Sequence, residues 1–232
     1  MPGQKNVSLY RNKRMRATRL DSAGRPVYGA KSVVVTSGQI TTSFTGNVEE
    51  GEAITQPNGN GDTCLNVPAT PTFGGFTVEA TFCNVDFSLF EMLTGNPVVL
   101  NDTGDIVGID EGTDIDLSGV NFALELWTGA QNHGGTLRTG AEGEWGYIIA
   151  PFLSGGTLGD ITVENAAITF TVSGMRTKDG AAWGSGPHKV DLVAGKAAPL
   201  FVPLTNKKHR RITVVEIAPP AVTNGAVALT NP

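Results

Sequence analysis

One stretch, residues 76–110, most constrains the fold, because there a helical pattern interrupts a sequence that otherwise alternates like strands. Residues 76–82 alternate apolar and polar side chains with a period of two, which predicts a strand with one buried face. Apolar residues then repeat at helical spacing between Asp86, which can cap a first turn, and Gly95, which suits a left-handed stop. The pattern predicts a helix at about 86–94. So short a helix is stable only if its apolar stripe packs against a sheet.

The rest of the chain is typical of strands and turns. Strand-like alternation recurs at 120–127, 145–149 and 161–172. The 30 glycines and 13 prolines among 232 residues suit many short strands joined by turns. The sequence shows neither an internal repeat nor a βαβ alternation. It therefore predicts a mainly β protein, an antiparallel β-sandwich or partial barrel with one short flanking α-helix.

The chain length fits a single domain with extensions. We assign that domain to residues 1–205, including a basic N-terminal arm at 1–31 and a long exposed loop at about 46–75, which is rich in Gly, Asn and Pro. Residues 206–232 form a basic knot followed by a small, polar segment that we expect to be a flexible extension.

Charge is distributed unevenly along the chain, whose net charge is −5. The basic arm has eight Lys or Arg and one Asp, whereas residues 32–137 have no Lys or Arg and fourteen acidic residues. Such segregation favours ordered contact between the basic end of one copy and the acidic surface of another. The alternative is that the fold places the N-terminal strand beside the acidic loops of the same subunit.

Two sets of charged residues are candidate functional surfaces. The basic set gives candidate assembly contacts: Lys13, Arg14, Arg16, Arg19, Lys207, Lys208, Arg210 and Arg211. The acidic set gives a candidate lumen lining or axial contact face: Asp102, Asp105, Asp110, Glu111, Asp114 and Asp116.

The sequence does not favour an enzyme or a cofactor site. The histidines at 133, 188 and 209 lie far apart without carboxylates at metal-ligand spacing, which argues against zinc. The acidic set could offer calcium oxygens but lacks EF-hand spacing, so a solvated acidic face is the preferred interpretation. Glu142 and Glu144 beside Trp145 could imitate a glycosidase pair, although two surface glutamates are far commoner. Cys64 and Cys83 are predicted to be buried free thiols.

The segment from Cys83 to Asp110 also resembles a known family. Its Cys-x-Val-Asp start, aromatic and leucine-rich turn, Leu-Thr-Gly and following glycine-containing strand are similar, in this order, to the matching segment of major tail proteins of long, flexible-tailed bacteriophages. The likeness extends upstream to residues 19–29 and more loosely downstream to Gly184. The resemblance has no counterpart for residues 206–232.

The resemblance implies a tail-tube-like fold and a structural role in the virion tail. In that family the subunits form hexameric rings that stack into the conduit for phage DNA. The implied partners are further copies of the chain, the tape-measure protein and other tail proteins. DNA would pass through without specific binding, and the subunit would be made in the host cytoplasm without membrane insertion.

A carbohydrate-binding β-sandwich is the alternative function. In that case Trp127, Trp145 or Trp183 would form the aromatic platform on which a sugar stacks.

Overall fold

The computed structural model of the protein describes residues 6–132, 144–159, 161, 165 and 168–231. Helix α1 spans Phe87–Thr94, and a 3-10 turn spans Ala181–Trp183. The strands are, in chain order, β1 (Val7–Arg19), β2 (Gly29–Thr36), β3 (Gln39–Glu49), β4 (Ile54–Pro57), β5 (Thr63–Val67), β6 (Thr72–Phe82), β7 (Val98–Leu100), β8 (Ile106–Ile109), β9 (Asn121–Asn132), β10 (Trp145–Ser154), β11 (Thr157–Leu158), β12 (Phe170–Thr177), β13 (Asp191–Val193), β14 (Lys196–Ala198), β15 (Arg211–Val215) and β16 (Val227–Leu229). The mainly β, antiparallel class predicted from the sequence is confirmed.

A sheet of ten described strands organises the fold. Its strands follow the order β16, β2, β1, β9, β10, β12, β6, β3, while β11 pairs with β12 and β15 pairs with β10. β10 changes neighbours along its length, because its first half pairs with β15 and its last two residues pair with β12. Within the described ranges β16 pairs with β2 and β3 pairs with β6, but β3 and β16 do not pair with each other. The sheet therefore does not close into a barrel and is sandwich-like.

The connection between β2 and β3 forces this sheet to curl. The two strands lie towards opposite ends of the strand order, yet only Ser37 and Gly38 separate them in sequence. At this corner the amide of Asn12 in β1 donates to the carbonyl of Gln39 at 3.1 Å. A Cβ at Gly38 would lie 1.5 Å from the side-chain oxygen of Asn84, so a larger residue would have to displace the Asn84 side chain. The sheet therefore bends back on itself and encloses a core.

Helix α1 fills the concave side of the curled sheet. The Asp86 carboxylate accepts from the backbone amides of Ser88 and Leu89 at 3.0 and 3.2 Å, and Gly95 ends the helix at φ 77°. Phe90 is 1% exposed and meets the Phe82 ring edge-on, with centroids 5.7 Å apart. The capped helix predicted at about 86–94 is confirmed, with its apolar side buried against the sheet.

A second core covers the opposite face of the central strands. Along β9, Phe122, Leu124 and Leu126 join the core under α1, whereas Ala123 and Trp127 join a core formed with the chain after β12. Because successive side chains of a strand point to opposite faces, β9 is buried on both sides. Glu125 shares the second face and is 0% exposed.

The structure corrects the predictions for two segments. The expected loop at about 46–75 contains the end of β3, the antiparallel pair β4 and β5, and the start of β6. The expected flexible extension is packed against the sheet, because β16 pairs with β2 and Thr223 is hydrogen-bonded to Val35. The Thr223 backbone amide donates to the Val35 carbonyl, and the Thr223 hydroxyl accepts from the Val35 amide. Arg14 also donates to the carbonyl of Pro220 at 3.2 Å.

The cysteine prediction is partly wrong. Cys64 and Cys83 are free thiols, as expected, but both are exposed. Cys64 lies on the exposed strand β5. Cys83 directly follows β6, and its thiol donates to the carbonyl of Gly38 in the β2–β3 link at 3.3 Å.

We expect Phe90→Ala to lower the free energy of unfolding by about 3–5 kcal/mol, because it removes a buried ring and leaves a cavity between α1 and the sheet. Phe201→Ala is the matched control, since Phe201 is 73% exposed and its loss should change stability by less than about 0.5 kcal/mol. Urea unfolding followed by circular dichroism measures both values. Equal effects of the two substitutions would show that α1 is not packed as described.

Candidate assembly surfaces

The β4–β5 hairpin, residues 54–67, projects from the body of the protein. Every residue from 49 to 74 is exposed, whereas the strands on either side continue into the core. Gly51 lies against Thr70, since a Cβ at Gly51 would be 2.6 Å from the Thr70 carbonyl oxygen. The hairpin thus leaves and rejoins the sheet at one point.

One face of this hairpin is apolar. Ile54 pairs with Val67, and Leu65 pairs with Gln56, which places three apolar side chains on the same face. The exposed fractions are 55% for Ile54, 43% for Val67 and 48% for Leu65. The other face carries Thr55 and Asn66. A two-stranded hairpin is marginally stable in water by itself, so this apolar face is expected to be covered by a partner.

The basic knot, residues 207–211, lies at the root of the hairpin. The guanidinium of Arg210 lies 4.1 Å from the ring centroid of Phe76 and 5.0 Å from that of Phe44. The His209 ring lies 5.8 Å from that of Phe73. Cation–π contacts of this kind hold Arg210 against the aromatic residues of β3 and β6. Sequence reasoning named Arg210 as an assembly contact, and the structure gives this side chain contacts within its own subunit.

The basic arm is largely a central strand. Over its whole length β1 pairs with β9, and Lys13, Arg14 and Arg19 are half-buried on it. Arg16 is 6% exposed and lies inside the protein, so its prediction as an assembly contact is corrected. The physical reason is that Arg16 stands directly opposite Glu125 across the two strands.

Arg16 and Glu125 form the centre of a buried ionic cluster. Nε and one terminal nitrogen of Arg16 donate to the two oxygens of Glu125, both at 2.6 Å. The Tyr147 hydroxyl donates to Glu125 at 2.5 Å, and His188 Nε2 lies 3.0 Å from the Thr18 hydroxyl. Losing one partner of such a pair typically costs about 3–5 kcal/mol, because the other charge is left buried alone.

Burial sets the protonation of this cluster. Burial lowers the pKa of His188 from 6.5 to about 4, against the opposing attraction of Glu125. Burial alone would raise the pKa of Glu125, but Arg16, His188 and the Tyr147 hydrogen bond outweigh it and hold that pKa below 4.5. Burial and the neighbouring carboxylate raise the pKa of Tyr147 well above 10. At neutral pH the cluster therefore contains one ion pair and a neutral His188.

The six acidic candidates all lie at the surface. Asp102 and Asp105 are in the exposed turn between β7 and β8, and the other four are in the connection from β8 to β9. Asp116 accepts hydrogen bonds from the hydroxyl and amide of Ser118, which lower its pKa. Among the described residues no three His, Cys, Asp or Glu side chains are grouped so that they could hold a metal ion. The acidic set is thus exposed and is divided between the β7–β8 turn and the connection that follows β8.

The tryptophan candidates differ in exposure. Trp127 and Trp183 are 1% and 4% exposed, so neither can stack on a sugar in this conformation. Trp145 is half-buried and lies at the start of β10. Glu142 and His133, which the sequence analysis also considered, lie outside the described residues.

No protein-family model matches the chain, and no curated protein matches it significantly.

In the part of the chain that the structure describes, no helix has the length and apolar composition needed to cross a membrane.

Sequence reasoning missed the two features that matter most here. The hairpin was interpreted as a loop because turn residues outnumber the apolar residues of its short strands. The signal was present in the alternation of Leu65 and Val67. The ionic cluster was missed although Glu125 stands between Leu124 and Leu126, because the sequence alone does not show that both faces of β9 are covered.

We expect acid to destabilise the protein through His188. As pH falls from about 6.5 to about 4, the unfolded chain takes up a proton that the folded protein excludes, so the free energy of unfolding falls by up to about 3 kcal/mol. His188→Gln should flatten the dependence in this window, measured by urea unfolding at several pH values. The lowered pKa of Glu125 also contributes stability. That contribution is lost only as pH falls further, through the lowered pKa, so it affects the acid end of the dependence of stability on pH.

Lys189→Gln is the control, because it changes the exposed neighbour of His188 and should keep the wild-type slope between pH 6.5 and 4. An unchanged slope in His188→Gln would mean that His188 is not buried in its neutral form.

Proposed function

We propose that this protein is a self-assembling structural subunit, the major tail-tube protein of a long-tailed bacteriophage, whose rings stack into the conduit for DNA. The observation that carries the proposal is the β4–β5 hairpin, which exposes an apolar face that its own chain leaves uncovered in the described structure. The resemblance of residues 83–110 to tail proteins supports the specific assignment. On this proposal the protein resides in the virion tail and also contacts the tape-measure protein.

The charge distribution supports another copy of the chain as the partner. The hairpin and its root, residues 49–70, contain four carboxylates and no Lys or Arg. Basic residues are concentrated in β1 and in the last third of the chain. A subunit that has both an acidic projection and a basic surface can meet identical subunits head to tail, which generates rings or stacks.

The geometry also supports a structural role for the acidic set. A wall rich in Lys and Arg would bind DNA phosphates and release counterions, so DNA would adhere to it. A wall of carboxylates repels DNA and lets it slide. The exposed acidic set is suited to line such a lumen or to face an axial neighbour, and the span 32–137 that contains it has no positive side chain.

Removing the hairpin should abolish assembly and preserve the fold. Residues 52–69 can be replaced by two glycines, since Gly51 and Thr70 are already in contact. We expect wild-type rings or tubes in negative-stain micrographs and a monomer for the deletion, measured by sedimentation velocity. The thermal midpoint should change little, because every residue removed is exposed.

A milder variant tests whether the apolar face, rather than the rest of the hairpin, is needed for assembly. Ile54→Ser, Leu65→Ser and Val67→Ser together should weaken assembly, whereas Thr55→Ser and Asn66→Ser on the opposite face should not. A wild-type protein that stays monomeric at all concentrations, or a deletion variant that forms normal tubes, contradicts the proposal.

Assembled tubes should not bind duplex DNA at about 0.15 M salt, where charge interactions extend only about 8 Å. An electrophoretic mobility assay with purified tubes measures this, with a basic protein of similar size as the positive control. A shift of DNA that weakens steeply with added salt would show that the basic residues, rather than the acidic set, face the DNA.

A further inference from the structure

A second surface of the protein is apolar and open. Beside β15 lies a cleft of about 450 Å³, and Phe201, Val202 and Ile212 line it with 73%, 59% and 55% of their surface exposed. Leu200 closes its floor and belongs to the second core. Three large apolar side chains together at such exposure form a patch of the kind that monomers usually avoid.

The cleft is held in shape before anything binds. Arg211 donates from its two terminal nitrogens to the carbonyls of Val202 and Pro203. The amide of Phe201 donates to the Asp191 carboxylate at 3.0 Å. The segment 200–203 is thus tied to β15 on one side and to β13 on the other. A partner would meet a preformed groove, which lowers the entropy cost of binding.

β15 also offers a free sheet edge. Within the described residues its pairing is with β10 alone, along one edge. An open edge can accept a strand from another molecule through backbone hydrogen bonds while apolar side chains fill the adjacent groove. The occupant should therefore be an extended segment with an apolar face.

Charge selects among possible occupants. Residues 189–216, the part of the chain that includes the groove, contain six Lys or Arg and two acidic residues, so this segment has a net positive charge. The β4–β5 hairpin combines free strand edges, an apolar face and four carboxylates at residues 49–70 without a basic residue. The hairpin and the groove are therefore complementary in backbone, apolar surface and charge.

The first half of β1 is the competing basic edge, and it fits the hairpin less well. Its pairing with β9 shifts register on both sides of Asn12, and Arg11 has φ 51°, which breaks the regular edge that an added strand needs. Leu9 and Tyr10 there lie over Gly146 and Gly129 of the neighbouring strands and are less exposed, at 38% and 47%, than Phe201, Val202 and Ile212.

We infer that the β4–β5 hairpin of one copy docks on the β15 edge of a second copy, with its apolar face against Phe201, Val202 and Ile212. The inference rests on the proposed self-assembly and identifies the surface that receives the hairpin. It gives residues 199–215 of the last third of the chain a role as an acceptor site between subunits.

Disulfide trapping tests the contact. In a background of Cys64→Ser and Cys83→Ser, Leu65→Cys is combined with Phe201→Cys or, separately, with Ile212→Cys. The matched control combines Leu65→Cys with Tyr10→Cys on the competing edge. After assembly and mild oxidation with copper phenanthroline, we expect a ladder of covalent multimers on a non-reducing gel for at least one acceptor position and not for the control.

Serine substitution gives a second measurement that does not depend on thiol geometry. Phe201→Ser with Ile212→Ser should raise the critical concentration for assembly at least tenfold. Leu100→Ser with Val107→Ser, at positions 53% and 52% exposed on β7 and β8, should leave it unchanged. Circular dichroism should be the same for both variants.

The outcomes separate this inference from the proposed function. Rings or tubes that form normally in the acceptor variant, or a ladder in the Tyr10→Cys control alone, overturn the groove assignment and leave self-assembly standing. A wild-type chain that remains monomeric at every concentration overturns both.

Discussion

The fold depends on one constraint, the two-residue link between β2 and β3. Strands that far apart in the sheet order can be joined by Ser37 and Gly38 only if the sheet curls until its two ends approach each other. The curl creates a concave side that α1 fills and a convex side that the chain after β12 covers. Both faces of the central strands are therefore buried. A charged residue on either face must then find a partner inside the protein.

The Arg16 and Glu125 pair is a consequence of that burial. Each side chain occupies the convex face of its strand, and the register of β1 against β9 places them opposite each other. Replacing such a pair with apolar residues is often neutral or stabilising, so its net energy is no argument for stability. Its effect is on specificity, since a shift of one residue between β1 and β9 would leave two buried charges without partners. The pair thus favours the observed register of β1 against β9.

The surfaces assigned to assembly are those that the curled sheet cannot cover. The β4–β5 hairpin lies beyond the point where β3 and β6 leave the body, and the groove beside β15 lies where β10 changes neighbours from β15 to β12. Among the described residues both have exposed apolar side chains and strand edges without a pairing strand, which a second copy can cover. The basic knot links the two regions, because Arg210 packs on the aromatic root of the hairpin while Arg211 shapes the groove.

The sequence by itself determined the features that depend on neighbouring residues. The helix bounds at Asp86 and Gly95 followed from capping chemistry, and the alternation of β6, β9 and β10 followed from the two-residue period of a strand. The tertiary structure decided the features that depend on residues distant in sequence. Arg16 looked like a surface cation because only the pairing of β1 with β9 brings Glu125, 109 residues away, to its side chain. The C-terminal segment looked flexible because its strand is stable only against the edge of β2, and no local pattern records which edge is free.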